Sequence, residues 1–203
     1  MTVYEAYDQP SGRSHPIMEI VSGGRRLEVA DTTPDGGMGF SISPSACGRP
    51  VKPESVPTAM TFPGNRKTQD LEAMFVYTVS ERLKDLIEGI EPDTHQFLPV
   101  TIVKKKSGEF LESRWFWQVC NRIDSVLDGE PGWFLQNGVW QRPSGSRPVF
   151  DLAKIGEKHF WRDKHLICEI MMSEFALARL NEEDMSGFRI IEHAARTRSS
   201  AHL

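Results

Sequence analysis

The sequence predicts an α+β fold, a mixed and largely antiparallel sheet with a few helices packed on it. Three observations lead there. Strand-like runs outnumber helical ones, several of the turns between them are of the hairpin kind, and the helical segments do not alternate with strands as they do in a parallel, doubly wound sheet.

The elements follow in chain order. "VYEAY" alternates apolar and polar residues, and "IMEIV" followed by "SGGRRLEVA" reads as two strands about a Gly-Gly turn. From Asp31 to Lys67 the chain is dense in Pro, Gly and Ser with no sustained period, so this stretch reads as mostly irregular. Its scattered Met, Phe, Val and Ile suggest an arm lying on the protein, and its length makes it a candidate boundary. Residues 1–66 are accordingly expected as N-terminal strands and an irregular segment packed on an α+β body of residues 67–193, with 194–203 as a frayed tail.

The body carries the clearest patterns. "MFVYTV" reads as a short strand, and Ser80 then caps a helix in which Leu83, Leu86, Ile87 and Ile90 share one face. Glu81 suits the first turn and Pro92 stops the helix. "HQFLPVTIVKKKSGEFLESRWFWQV" predicts two strands about a lysine-rich turn, with Trp115 and Trp117 on one face and Phe116 on the other. Asn137-Gly138 between "WFLQ" and "VWQ" is a type I′ hairpin signal. A helix capped by Ser173, a turn at Gly187 and a last short strand close the domain, and no internal repeat is present.

Composition limits the function classes. There are 28 acidic against 24 basic residues, a net charge of −4, which lacks the cationic excess of nucleic-acid binders and mildly favours a basic partner. Cys47, Cys120 and Cys168 are far apart and fit no zinc spacing, so they read as free thiols of a reducing compartment. The opening residues carry neither a leader nor a spanning segment, and a cytoplasmic protein away from membranes is expected. Neither GxGxxG nor GxxxxGK[ST] nor GxSxG occurs, so no cofactor is expected.

The chemistry-bearing residues crowd into "DLAKIGEKHFWRDKHL", residues 151–166. On a helix, His159 and Asp163 share a face and Arg162 neighbours His165, an arrangement open to a metal or to a base and its orienter. No further ligand set completes a metal site, and His95 and His193 stand isolated in strand-like contexts. A small hydrolase using His159, Asp163 and His165 requires those side chains to converge on one cleft. The packing alternative puts Phe160, Trp161 and Leu166 inward while Arg162, Asp163 and Lys164 face solvent or cap neighbouring elements. A third alternative is a contact surface, since Trp and Arg are favoured interface anchors.

The segments "VSERLKDLIE", "HQFLPVTI", "WFWQVCNRIDSVL", "PVFDLAKIGEKHFWRDKHL" and "SEFALARLNEEDMSGFRI", in this order from about Phe75 to Glu192, resemble the Imm11 family of immunity proteins encoded beside polymorphic toxins in bacteria. The resemblance implies a non-enzymatic, cytoplasmic binder that neutralises a cognate toxin, commonly a nuclease in such systems. The family's Trp-x-x-Arg-type feature falls on Trp161 and Lys164, a departure because Lys lacks the planar fork of Arg. Arg162 is equally placed to carry it, so neither has a fixed role. Partner contacts are expected from Trp161, Arg162, Asp163 and His165 and from Glu182, Glu183 and Asp184, with Glu81, Asp85, Glu88, Glu91 and Asp93 as further acids on exposed elements. A scaffold that associates with itself is the remaining alternative, and a homodimer is compatible with immunity.

Overall fold

The computed structural model describes residues 2–8, 19–40, 44–62, 68–73 and 76–197. Along the chain run β1 (Thr2–Asp8), β2 (Ile20–Gly23), β3 (Pro57–Phe62), β4 (Leu71–Ala73), β5 (Tyr77–Val79), α1 (Glu81–Ile90), β6 (Gln96–Lys104) and β7 (Phe110–Gln118). There follow β8 (Arg122–Ile123), β9 (Phe134–Gln136), β10 (Val139–Gln141), β11 (Phe150–Asp151), α2 (Leu152–Ile155), β12 (Phe160–Asp163), β13 (Ile170–Ser173), α3 (Glu174–Glu182) and β14 (Phe188–Arg196). They form two six-stranded sheets, ordered β11-β14-β1-β13-β12-β8 and β2-β3-β6-β7-β5-β4, with β9 and β10 as a separate hairpin. Most pairings are antiparallel; β3–β6, β11–β14 and β8–β12 are parallel. The expected α+β class holds.

The main core lies where the two sheets and two helices meet. Ala6 of β1, Trp117 of β7, Phe160 of β12, Met172 of β13, Leu83 and Ile87 of α1, and Ala176 and Leu180 of α3 pack there. Alternation along the strands sends neighbours to the outer faces. Phe116 joins Val56, Met60 and Ile102 beyond the second sheet, and Trp161 and Met171 join Val3 and Phe150 beyond the first. Trp115 and Trp117 thus share one face and Phe116 takes the other, as their spacing requires.

The helices begin where expected. Ser80 and Ser173 each accept a hydrogen bond from the backbone N–H three residues on, satisfying a first-turn donor. The Asn137-Gly138 turn is also found, both residues having positive φ.

Three expectations are corrected. The Gly-Gly turn makes no hairpin: β2 pairs with β3, and Val29 meets only Val51 in an isolated bridge. The stretch 31–67 contains β3, which lies between β2 and the later β6. Part of that arm crosses the edge formed by β8 and β12, where Arg122 grips Asp35 at 2.7 Å and the Met38 N–H donates to the Lys164 carbonyl. The last strand continues through Ala194–Arg196, residues expected in the tail, because β1 and β11 pair along its two sides. Residues 198–203 of that tail and residues 74–75 of the "MFVYTV" run lie outside the described residues. No helix among the described residues is long and apolar enough to cross a membrane.

Candidate functional site

Residues 151–166 are not one helix. Asp151 accepts from the Ala153 N–H and caps α2, a single turn that ends at Gly156 with φ 60°. The chain then straightens into β12, which is sheet interior between β13 and β8. Burial of the whole strand follows from covering on both faces.

Of the two placements expected for Arg162 and Asp163, facing solvent or capping neighbouring elements, the first does not occur. Trp161 is 0% exposed, Arg162 1%, Asp163 0% and His165 5%, so in this fold none of the four offers surface to another protein. Their polar groups turn inward instead, because a buried charge without partners is costly. Asp163 accepts from the Ser125 N–H and hydroxyl at 2.7 Å each and from the His165 N–H at 2.7 Å. The Trp161 indole N–H donates to the same Ser125 hydroxyl at 3.0 Å. Burial pushes the Asp163 carboxyl above its ordinary value, against the pull of the Ser125 and His165 hydrogen bonds. Arg162 donates to the Cys168 carbonyl at 3.0 Å, stacks its guanidinium over the Tyr77 ring at 5.3 Å and lies 3.6 Å from Glu169. The Tyr77 hydroxyl donates to Glu169 as well.

His159, Asp163 and His165 do not converge. The His159 ring pairs through Nδ1 with the Ser173 hydroxyl at 2.8 Å, and the His165 ring with the Gly138 carbonyl at 3.0 Å. Asp163 bonds the backbone of His165, not its ring. The geometry set out for a hydrolase centred on these three is not met. Burial also pushes the Cys120 and Cys168 thiols up to about 12, which leaves both as poor nucleophiles at neutral pH.

The residue that organises this region went unrecognised as a buried group. Glu91, expected on an exposed face, is 8% exposed just past the end of α1. Its carboxylate accepts from the His159 N–H at 2.9 Å, the Phe160 N–H at 3.1 Å and the Asn121 amide, and pairs with the His95 ring at 2.8 Å. Burial pushes this carboxyl up, yet the bonds from His95, His159 and Phe160 outweigh it and hold the group below its usual range. The signal was in the sequence: Leu83, Ile87 and Glu91 recur every four residues on the face that packs inward. His95 and His193 are likewise not isolated, since His193 meets the buried Glu5 at 3.0 Å.

The other expected acids face outward. Glu182, Glu183 and Asp184 are exposed at the end of α3, and Glu81, Asp85 and Asp93 on or just after α1. Arg82 ties the two segments by donating to the carbonyls of Glu183 and Asp184 while gripping Asp70 at 2.7 and 2.8 Å. Residues 81–93 hold five acids and two bases, and residues 174–184 hold four acids and one base. These two adjacent segments thus carry −6, of which the buried Glu91 contributes one, in a chain whose total is −4. The remainder is slightly basic, so the acidic character belongs to the α1–α3 side.

No curated protein matches the chain. The model of the Imm11 immunity protein family does, over residues 22–195, a span that takes in the last two residues of β2, all of β3 to β13 and all but the last residue of β14, so the chain belongs to the Imm11 immunity protein family.

Proposed function

We propose that the chain binds and neutralises a cognate bacterial toxin without performing chemistry of its own, acting in the cytoplasm of the cell it protects. Membership of an immunity family supports a toxin as the partner. The observation that carries the mode of action is the acidic excess on the α1–α3 side, −6 over the two segments and −5 without the buried Glu91, in a chain with net −4. A nuclease must present a cationic surface to its substrate, and a folded acidic face competes for that surface while its bulk excludes the nucleic acid. Glu182, Glu183 and Asp184 are the contacts this reading assigns to α3. Trp161, Arg162, Asp163 and His165 serve it from inside, as the frame that holds the sheet interior.

Co-expression with the toxin encoded by the adjoining reading frame tests the reading. Cells carrying both genes survive while cells carrying the toxin alone die, and the two proteins co-purify. Death in both cases, with the chain soluble and folded, overturns it.

A further inference from the structure

Between α1 and α3 lies an open groove of about 390 Å³, lined by Asp85, Leu86, Gly89, Ile90, His159, Phe175 and Arg179. Leu86, Ile90 and Phe175 give it an apolar patch beside the charged Asp85 and Arg179. Leu86 and Ile90 are half-buried, and Phe175 stands 52% exposed on α3. An exposed aromatic ring usually moves freely, but this one packs against the His159 ring at 4.8 Å, and His159 is itself held by the Ser173 hydroxyl. Phe175 is therefore an aromatic anchor fixed in advance, the kind that dominates protein interfaces.

Gly89 provides an independent observation. It sits in the last turn of α1 with ordinary helical φ, where glycine costs roughly 0.5–1 kcal/mol relative to alanine. Gly187 is different, because a side chain there would collide with the Leu71 carbonyl. At Gly89 an added Cβ would meet nothing within 4 Å. Neither the backbone nor packing within the chain calls for glycine there. What the missing side chain does is leave the groove floor open.

We propose that this groove is the docking site for the toxin, and that it takes a projecting apolar side chain from a basic segment of that protein. The inference rests on the function proposed above. Charge complementarity commits the occupant: Asp85 and Arg179 line the groove, and Arg179 is engaged by Glu182 at 2.6 Å and lies 3.8 Å from Glu183, so acids outnumber the cation at this end of α3. An incoming basic segment meets acids around an apolar floor, the pattern of a polar rim about a buried anchor.

Two variants test it against the purified toxin domain encoded by the adjoining reading frame. Gly89→Lys fills the groove and brings a positive charge, yet replaces a poor helix former with a good one near the helix C-terminus, where a cation is favoured. Phe175→Ala removes the anchor from an exposed position. Both variants are expected to bind the toxin domain at least about tenfold more weakly than the parent chain, with the melting temperature of Gly89→Lys unchanged or raised. Retention of the parent's affinity by either variant overturns the groove as the docking site and leaves the proposed function standing. Failure of the parent chain itself to bind the toxin domain removes both.

Discussion

The Glu91 carboxylate accepts a hydrogen bond from the backbone N–H of His159 at 2.9 Å, joining residues 68 positions apart. One acid thereby fastens the end of α1 to the start of β12, where the densest cluster of polar residues begins. Because these donors hold its pKa below the unfolded value of about 4.3, the stabilisation is fully present above that value and is lost as the pH falls through the folded one. Glu91→Gln keeps one acceptor oxygen and turns an amide toward donors, a loss of roughly 1–3 kcal/mol at pH 7. Thermal melts should show the gap between parent and variant narrowing below pH 4. A gap that stays constant with pH means that Glu91 is not held as a carboxylate.

Asp163→Asn should behave as a core lesion. The substitution leaves either the Ser125 or the His165 backbone N–H facing an amide donor in a buried site. A loss of roughly 1–3 kcal/mol is expected, read as a lower urea midpoint with an unchanged slope.

Two glycines should respond to alanine with opposite signs. Gly89→Ala adds helix propensity into open space and should stabilise by roughly 0.4–1 kcal/mol. Gly187, at φ 97° against the Leu71 carbonyl, should lose more than about 2 kcal/mol. Differential scanning calorimetry of the pair checks both, and equal signs contradict the backbone account.

Neutralising the end of α3 with Glu182→Gln, Glu183→Gln and Asp184→Asn should leave stability within about 1 kcal/mol, because exposed pairs such as Arg179–Glu182 contribute little. Association with the toxin should slow about tenfold at low salt and approach the parent's rate near 1 M, where screening acts within about 3 Å. Stopped-flow rates across a salt series read this directly.

Sequence patterns carried some of this architecture and missed the rest for identifiable reasons. Local signals succeeded where a residue's neighbours in sequence are its neighbours in space: the Ser80 and Ser173 caps, the Leu83–Ile87 stripe, the Asn137-Gly138 turn, and Trp115 and Trp117 opposite Phe116. They failed where the deciding partner lies far along the chain. β3 reads as irregular until β6 pairs with it 42 residues later. Arg162 and Asp163 read as facing solvent or capping neighbouring elements because charge defaults to the surface, whereas the Cys168 carbonyl and Ser125 draw them inside. The candidate contacts split accordingly: Glu182, Glu183 and Asp184 are on the surface, and Trp161, Arg162, Asp163 and His165 are buried.

The function proposed for this fold is to neutralise a toxin by presenting an acidic, grooved face to it. The most direct measurement is calorimetric titration of the purified toxin domain encoded by the adjoining reading frame into the parent chain, repeated with nucleic acid already bound to that domain. A stable complex with the free toxin domain and competition from the nucleic acid are expected. Absence of binding by the folded chain, or binding indifferent to the nucleic acid, would contradict it.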